Sequence, residues 1–332
     1  MDLTTVWFVL IAVLFTGYFI LEGFDFGVGA LLPLLAHDDR ERRVMINTIG
    51  PVWDGNEVWL ITAAGAMFAA FPEWYATLFS GFYLPLLLIL LALIIRGVAF
   101  EYRHKRPDTT WKRRWDTAIT IGSLTPALLW GITFANILRG VPLNNHHDHT
   151  GTLLDLLTPY ALLGGLTTTT LFLTHGAVFT ALKTTGDIRH RARTLATRLA
   201  TLTTISTAAF LTWTLTIRGN TTATILAATA TAALLTALTA TRARREGWAF
   251  TATATAIALT TATLFTALHP TLLPSTTDPA GTLTATNAAS TSYTLGIMTW
   301  VAALFTPVVL TYQGWTYWVF RHRIGITHIP TH

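Results

Sequence analysis

Four carboxyl groups fall within two successive hydrophobic segments. Glu22 and Asp25 lie in Leu-Glu-Gly-Phe-Asp-Phe-Gly-Val-Gly, and Asp54 and Glu57 in Trp-Asp-Gly-Asn-Glu-Val-Trp-Leu, with Asn56 between the second pair. An Asp at the centre of a membrane helix costs roughly 2.5–3.5 kcal/mol on insertion scales, so acids in such places call for a function. The chemistry they suit is proton handling: carboxyl groups withdrawn from water and held close together can take up and pass on protons. Glu22 and Asp25 are three residues apart, on one face of a helix. Gly23 and Gly27 add a small-residue surface for close helix contact. Asp54, Asn56 and Glu57 open the next segment, so they are expected to face Asp25 from across a short connection. A simpler reading makes Asp54 and Asn56 helix caps, with Trp53 and Trp59 as interfacial anchors. That reading leaves Glu22 and Asp25 unexplained. Arg96, in Ile-Ile-Arg-Gly-Val-Ala-Phe-Glu-Tyr-Arg, is expected to form a structural ion pair with Glu101, Asp54 or Glu57, or to snorkel to the interface.

Redox and metal chemistry find less to work with. The chain has no cysteine, which excludes disulfides, thiolate metal sites and covalently attached c-type haem. Haem ligation by other means needs His or Met at suitable depths. His175 lies well inside a hydrophobic segment and His269 at the edge of one beside Pro270; Met67 and Met298 also fall within segments, but no paired His pattern emerges. A lone intramembrane His reads as a hydrogen-bonded packing residue. His146, His147 and His149 cluster around Asp148 and are fair zinc or copper ligands in type. Adjacent histidines on a loop do not make a preorganised site, so they read as solvated. No catalytic residue and no metal site are therefore assigned to this chain.

The elements that position these residues are membrane helices. With 52% apolar and only 12% charged residues in 332, against about 25% charged in soluble domains, the chain reads as an all-α integral membrane protein. Nine stretches reach the roughly 20 residues a hydrocarbon core requires: near 4–35, 52–71, 76–100, 116–138, 156–182, 194–217, 221–241, 248–269 and 292–320. Of the 22 Lys and Arg residues, all but Arg96, Arg139 and Arg218 fall on one side of such an arrangement. This asymmetry predicts the N-terminus outside and the C-terminus in the cytoplasm. It also accounts for the net charge of +5 without nucleic acid as a partner. The first basic residue is Arg40, after the first span, so the N-terminus does not read as a cleaved signal peptide. From about Thr167 to Thr286 the chain is rich in Thr and Ala. A Thr hydroxyl can bond the carbonyl one turn back and small residues allow close packing, so this region reads as packing rather than as a site.

Several blocks together resemble subunit II of the bacterial cytochrome bd-type quinol oxidases. They are Trp53-Asp-Gly-Asn-Glu-Val-Trp-Leu-Ile61, Glu22-Gly-Phe-Asp-Phe-Gly-Val-Gly29, Phe79-Ser-Gly-Phe-Tyr83, Arg96-Gly-Val-Ala-Phe-Glu-Tyr-Arg103, Asn136-Ile-Leu-Arg-Gly-Val-Pro142, Asn287-Ala-Ala-Ser290 and Tyr312-Gln-Gly-Trp-Thr-Tyr-Trp-Val-Phe320. The resemblance implies one membrane domain over 1–332 with nine helices: two four-helix bundles, the first over about 1–140, and a peripheral last helix following the second within 150–332. It implies a homologous partner, subunit I, holding two b-type haems and one d-type haem and oxidising quinol. The complex reduces oxygen to water with protons drawn from the cytoplasm, in the bacterial cytoplasmic membrane. Subunit II of this family binds no haem; some relatives hold a quinone in it, and small single-helix accessory subunits and membrane lipid are further expected neighbours. The carboxylates that match the family, Asp25 and Asp54, are associated with a proton route, to which Glu22, Glu57 and Asn56 are candidate contributors. The rival class is a proton-coupled secondary transporter using Glu22, Asp25 and Asp54, against which stands the lack of a visible inverted repeat.

Overall fold

The computed structural model describes residues 2–329, and these are built almost wholly of helix. Helix α1 (Leu3–Leu35) starts at Asp2, whose side chain accepts from the Thr5 N–H, and is buried on most sides along its second half. A helix that is apolar all round belongs inside a bundle. It packs against α3 (Trp53–Ala70), α6 (Thr109–Arg139), α7 (Pro159–Lys183) and α10 (Glu246–Leu268). Glycines make the closest crossing possible. A Cβ on Gly27 would collide with the α7 backbone at Phe172 and Gly176, and one on Gly131 with the backbone of Gly164 where α6 meets α7. Helices α8 (Gly186–Arg218) and α9 (Thr221–Arg242) complete the Thr/Ala-rich half, with α9 packed on both α8 and α10.

Among the described residues eight helices are long and apolar enough to cross a membrane: α1, α6 to α10, α5 (Tyr83–Tyr102, continued by a 3-10 turn to Lys105) and α11 (Ser292–Val319). The segment expected at 52–71 is a helix, but its polar first turn places α3 outside that set. The stretch expected as one span over 76–100 is broken at Phe82 into α4 (Pro72–Gly81) and α5. The connection before α3 contains a helix the apolar pattern did not suggest, α2 (Asp39–Ile49), capped by Asp38 and burying Val44, Met45 and Ile49.

Each end of the helix stack is tied by its own contacts. At one end lie the arginine-rich connections: Arg103 pairs with Asp39 (2.7 Å) and Asp116 (2.5 Å), Lys112 with Asp39 (2.8 Å), and Arg191 with Glu41 (2.6 Å). Arg189 and Arg193 converge on Glu246. The segment after α11 also crosses this end, where Ile324 bridges to Thr184 and Arg40 donates to the carbonyls of Ile326 and Ile329. At the opposite end, the loop with the three histidines is ordered rather than loose. Val141 bridges to Ser275, Leu143 to His149, and His147 Nδ1 lies 3.0 Å from the Gly281 carbonyl. A two-stranded ribbon, β1 (Thr271–Leu273) and β2 (Leu283–Thr284), stiffens the neighbouring loop.

The threonines of α7 to α10 do what their chemistry allows. Thr263, Thr261 and Thr241 donate to carbonyls four residues back, and a seam of Thr170, Thr174, Thr203 and Ser206 joins α7 to α8. Helix α11 stands apart, with 6% of its apolar window buried and contacts mainly to α1 and α3.

Candidate functional site

Three of the four acids, Glu22, Asp25 and Glu57, gather at one place, set by three helices and touched by a fourth. Helix α1 holds Glu22 and Asp25 wholly buried, and α5 holds Arg96, also wholly buried. The first turn of α3 brings in Asn56 and Glu57. The Arg96 guanidinium pairs through Nη2 with Glu22 Oε1 and, at 2.7 Å, with Glu57 Oε1. It also lies over the rings of Phe26 (4.8 Å) and Phe100 (5.7 Å), whose faces favour a cation. Asp25 is held differently: Asn56 Nδ2 donates to its Oδ2 at 2.7 Å. Asn56 is itself fully buried, and its Oδ1 accepts from the Tyr317 hydroxyl (2.8 Å) and Gln313 Nε2 (3.3 Å), both from α11.

Three carboxyl groups thus stand near one guanidinium, which pairs with two of them, so there are more acids than counter-charge. Four buried atoms of the cluster have no hydrogen-bond partner among the described residues: Glu22 Oε2, Asp25 Oδ1, and Arg96 Nε and Nη1. Buried polar atoms are ordinarily satisfied; of those left over here, the two carboxyl oxygens can accept a proton or a hydrogen bond and the two guanidinium nitrogens can only donate one. Burial falls off along the set. Glu22 and Asp25 are enclosed, the Glu57 side chain is 23% exposed, and Asp54 lies at the surface.

Several sequence expectations are corrected here. Asp54 makes no cross-helix contact with Asp25, and neither it nor Asn56 caps α3. The N-cap residue is Val52, with no side-chain cap bond, because Asn56 is wound into the helix and spends its amide on Asp25 and α11. Glu101 does not pair with Arg96. Five residues along α5 it points to a different side and is exposed, while Arg96 turns inward to Glu22 and Glu57 rather than snorkelling. Gln313 and Tyr317 are the residues that sequence reasoning missed. Their spacing of four on an otherwise apolar helix was the available sign.

The remaining histidines do not form a site of this kind. Among the described residues no group of three or more His, Cys, Asp or Glu could hold a metal ion. His175 has no ring nitrogen free for a haem. Both ring nitrogens of His175 are engaged, Nδ1 with Thr253 (2.7 Å) and Nε2 with the Ile20 carbonyl (3.1 Å), and its ring stacks on Phe250 at 4.6 Å. His175 is a packing residue.

Comparison with known proteins places this geometry in a lineage. The family model for cytochrome bd terminal oxidase subunit II matches residues 3–320. Cytochrome bd ubiquinol oxidase subunit 2 of Bacillus subtilis is 43% identical, over 98% of this chain and 97% of that protein. Cytochrome bd-I ubiquinol oxidase subunit 2 of Escherichia coli K12 is 36% identical over 96% of this chain and 94% of its own length. Among solved structures, a chain of the bd oxidase from Geobacillus thermodenitrificans shares the fold with a TM-score of 0.77, at 20% identity over 96% of this chain and 99% of that one. By matches that run nearly end to end, this chain belongs to the cytochrome bd terminal oxidase subunit II family.

Proposed function

We propose that this chain works beside a haem-bearing partner, subunit I of a quinol oxidase, and feeds it protons from the cytoplasm while oxygen is reduced to water. The observation that carries the proton role is Asp25: wholly buried, one oxygen held by Asn56 and the other without a partner among the described residues. The decline in burial from Asp25 and Glu22 through Glu57 to Asp54 gives a direction of entry, from the arginine-rich end inward. In this reading Asp54 collects protons at the surface, Glu57 relays them, and Arg96 keeps Glu22 and Glu57 in place. The two b-type haems and the d-type haem belong to the partner, as does quinol oxidation.

The membrane arrangement that goes with this role has nine spans, with α3 as the ninth. Its polar first turn then sits at the cytoplasmic interface, and Trp53 is an anchor there. Helices α1, α3, α5 and α6 form one four-helix bundle and α7 to α10 the other, with α11 peripheral. Clustering of Lys and Arg at one end favours an external N-terminus and a cytoplasmic C-terminus in a bacterial cytoplasmic membrane.

The test is Asp25→Asn in the complete oxidase. Oxygen consumption should fall by at least about a hundredfold, the lower range for loss of a proton-transferring side chain, with the haem spectrum unchanged. Normal turnover in that variant overturns the proton role.

A further inference from the structure

The contact between α11 and Asn56 has a polarity that can be read from one end. Trp59 Nε1 lies 2.8 Å from the Gln313 side chain, and an indole N–H can only donate, so the oxygen of Gln313 must face it. That turns the Gln313 amide nitrogen toward Asn56 at 3.3 Å, which requires Asn56 to present its oxygen. The Tyr317 hydroxyl, 2.8 Å away, donates to the same oxygen. Asn56 is then obliged to turn its NH2 group to Asp25 Oδ2 (2.7 Å) and to the Leu21 carbonyl (3.5 Å). Spacing makes this possible: Asn56 and Trp59 are three apart on α3, and Gln313 and Tyr317 four apart on α11, so each pair shares a face.

We propose that Gln313 and Tyr317 are positioning residues for Asp25. The one-way relay Trp59 to Gln313 to Asn56 to Asp25 fixes Oδ2 as an acceptor and reserves Oδ1 for the exchangeable proton. Oδ1 is the carboxyl oxygen with no partner among the described residues. Without the two donors from α11 the Asn56 amide is free to turn over. Its oxygen would then face Oδ2, and the proton would be held in that contact instead of at the open side. Helix α11, which buries little apolar surface, thereby acts on the site through orientation. The inference rests on the proton role of Asp25 proposed above.

The experiment is a double-mutant comparison in the complete oxidase, with haem content confirmed by absorbance. Gln313→Leu combined with Tyr317→Phe should slow oxygen consumption about tenfold, within the range for losing two neutral hydrogen bonds to the Asn56 amide. The same pair made in an Asp25→Asn background should slow it no further, because residues that act as a unit are not additive. Thr311→Val, on the exposed side of α11 and bonded only to its own helix, should leave the rate unchanged. If the paired variant loses haem, Trp59→Phe replaces it, removing only the donor that sets the direction; a slowing of about threefold is expected, again absent in Asp25→Asn. A slow Asp25→Asn beside a normal paired variant overturns the relay and leaves the proton role standing. Equal slowing in both backgrounds overturns the relay as well, since α11 would then act on stability. Normal turnover of Asp25→Asn removes the proton role and the relay with it.

Discussion

The two halves of this molecule bury polar groups in opposite ways. In α7 to α10 many hydroxyls are satisfied within their own helix: Thr263 bonds Leu259, Thr261 bonds Ile257 and Thr241 bonds Ala237. That polarity is local, and a helix carries it into the membrane already paired. In α1, α3 and α5 the buried groups are acids and an arginine whose partners lie on other helices, such as Arg96 with Glu22 and Glu57, and Asn56 with Asp25. That polarity is non-local and is satisfied only after assembly.

The sharpest break of this comparison is Arg96→Gln. It leaves Glu22 buried without its cation, and removing one partner of a buried pair costs about 3–5 kcal/mol. The expected outcome is loss of assembled oxidase from membranes, measured by haem absorbance and subunit yield. In the other half, Thr263→Val removes a hydroxyl that is equally buried but bonded to its own helix. Its expected cost is within about 1 kcal/mol, read as a small shift in thermal inactivation of the purified complex. A cost as large as that of Arg96→Gln would erase the distinction between local and non-local polarity.

The smallest effect is expected at the charged end outside the spans. Burial opposes ionisation of Glu41, but hydrogen bonds from Arg191 and the His37 N–H outweigh it and hold its carboxyl below the ordinary range. Asp39 is lowered likewise, against some burial, by Lys112 and Arg103. A carboxyl whose folded value lies below its unfolded one adds stability above the unfolded value and loses it as pH falls through the folded value. Protection of the α2 amides against hydrogen exchange should therefore be level from neutral pH down to about pH 5 and decline below about pH 4. Glu41→Gln should flatten that decline.

How far the sequence went follows the same division. The apolar stretches and the arginine-rich connections were legible because hydropathy and charge are properties of a local window. Glu22 and Asp25 were legible as a pair because three residues along one helix fix a shared face. Asn56 was read as a cap because capping is the local use of an amide near a helix start, whereas its actual partners are 31 residues before it and 257 and 261 after it. For Arg96 the sequence leaves Glu101, Asp54 and Glu57 open as partners; Glu57 is one of the two it takes, while Glu22, 74 residues away, lies beyond what a local window shows. Helix α2 escaped notice because it is short and charged, and the break at Phe82 because both sides of it are apolar.

The place of α11 along the chain has a consequence in time. Ribosomes deliver α1, α3 and α5 long before Gln313 and Tyr317, so in the relay proposed above the Asn56 amide lacks its two α11 donors while α6 to α10 are being inserted. A nascent subunit thus carries its acids into the membrane with the relay unset. Only when the last long helix docks, and Arg40 and Thr184 grip the segment beyond it, does the site acquire its orientation. Proton handling would then begin with completion of the subunit, and the membrane would be spared an oriented acid in a half-made chain.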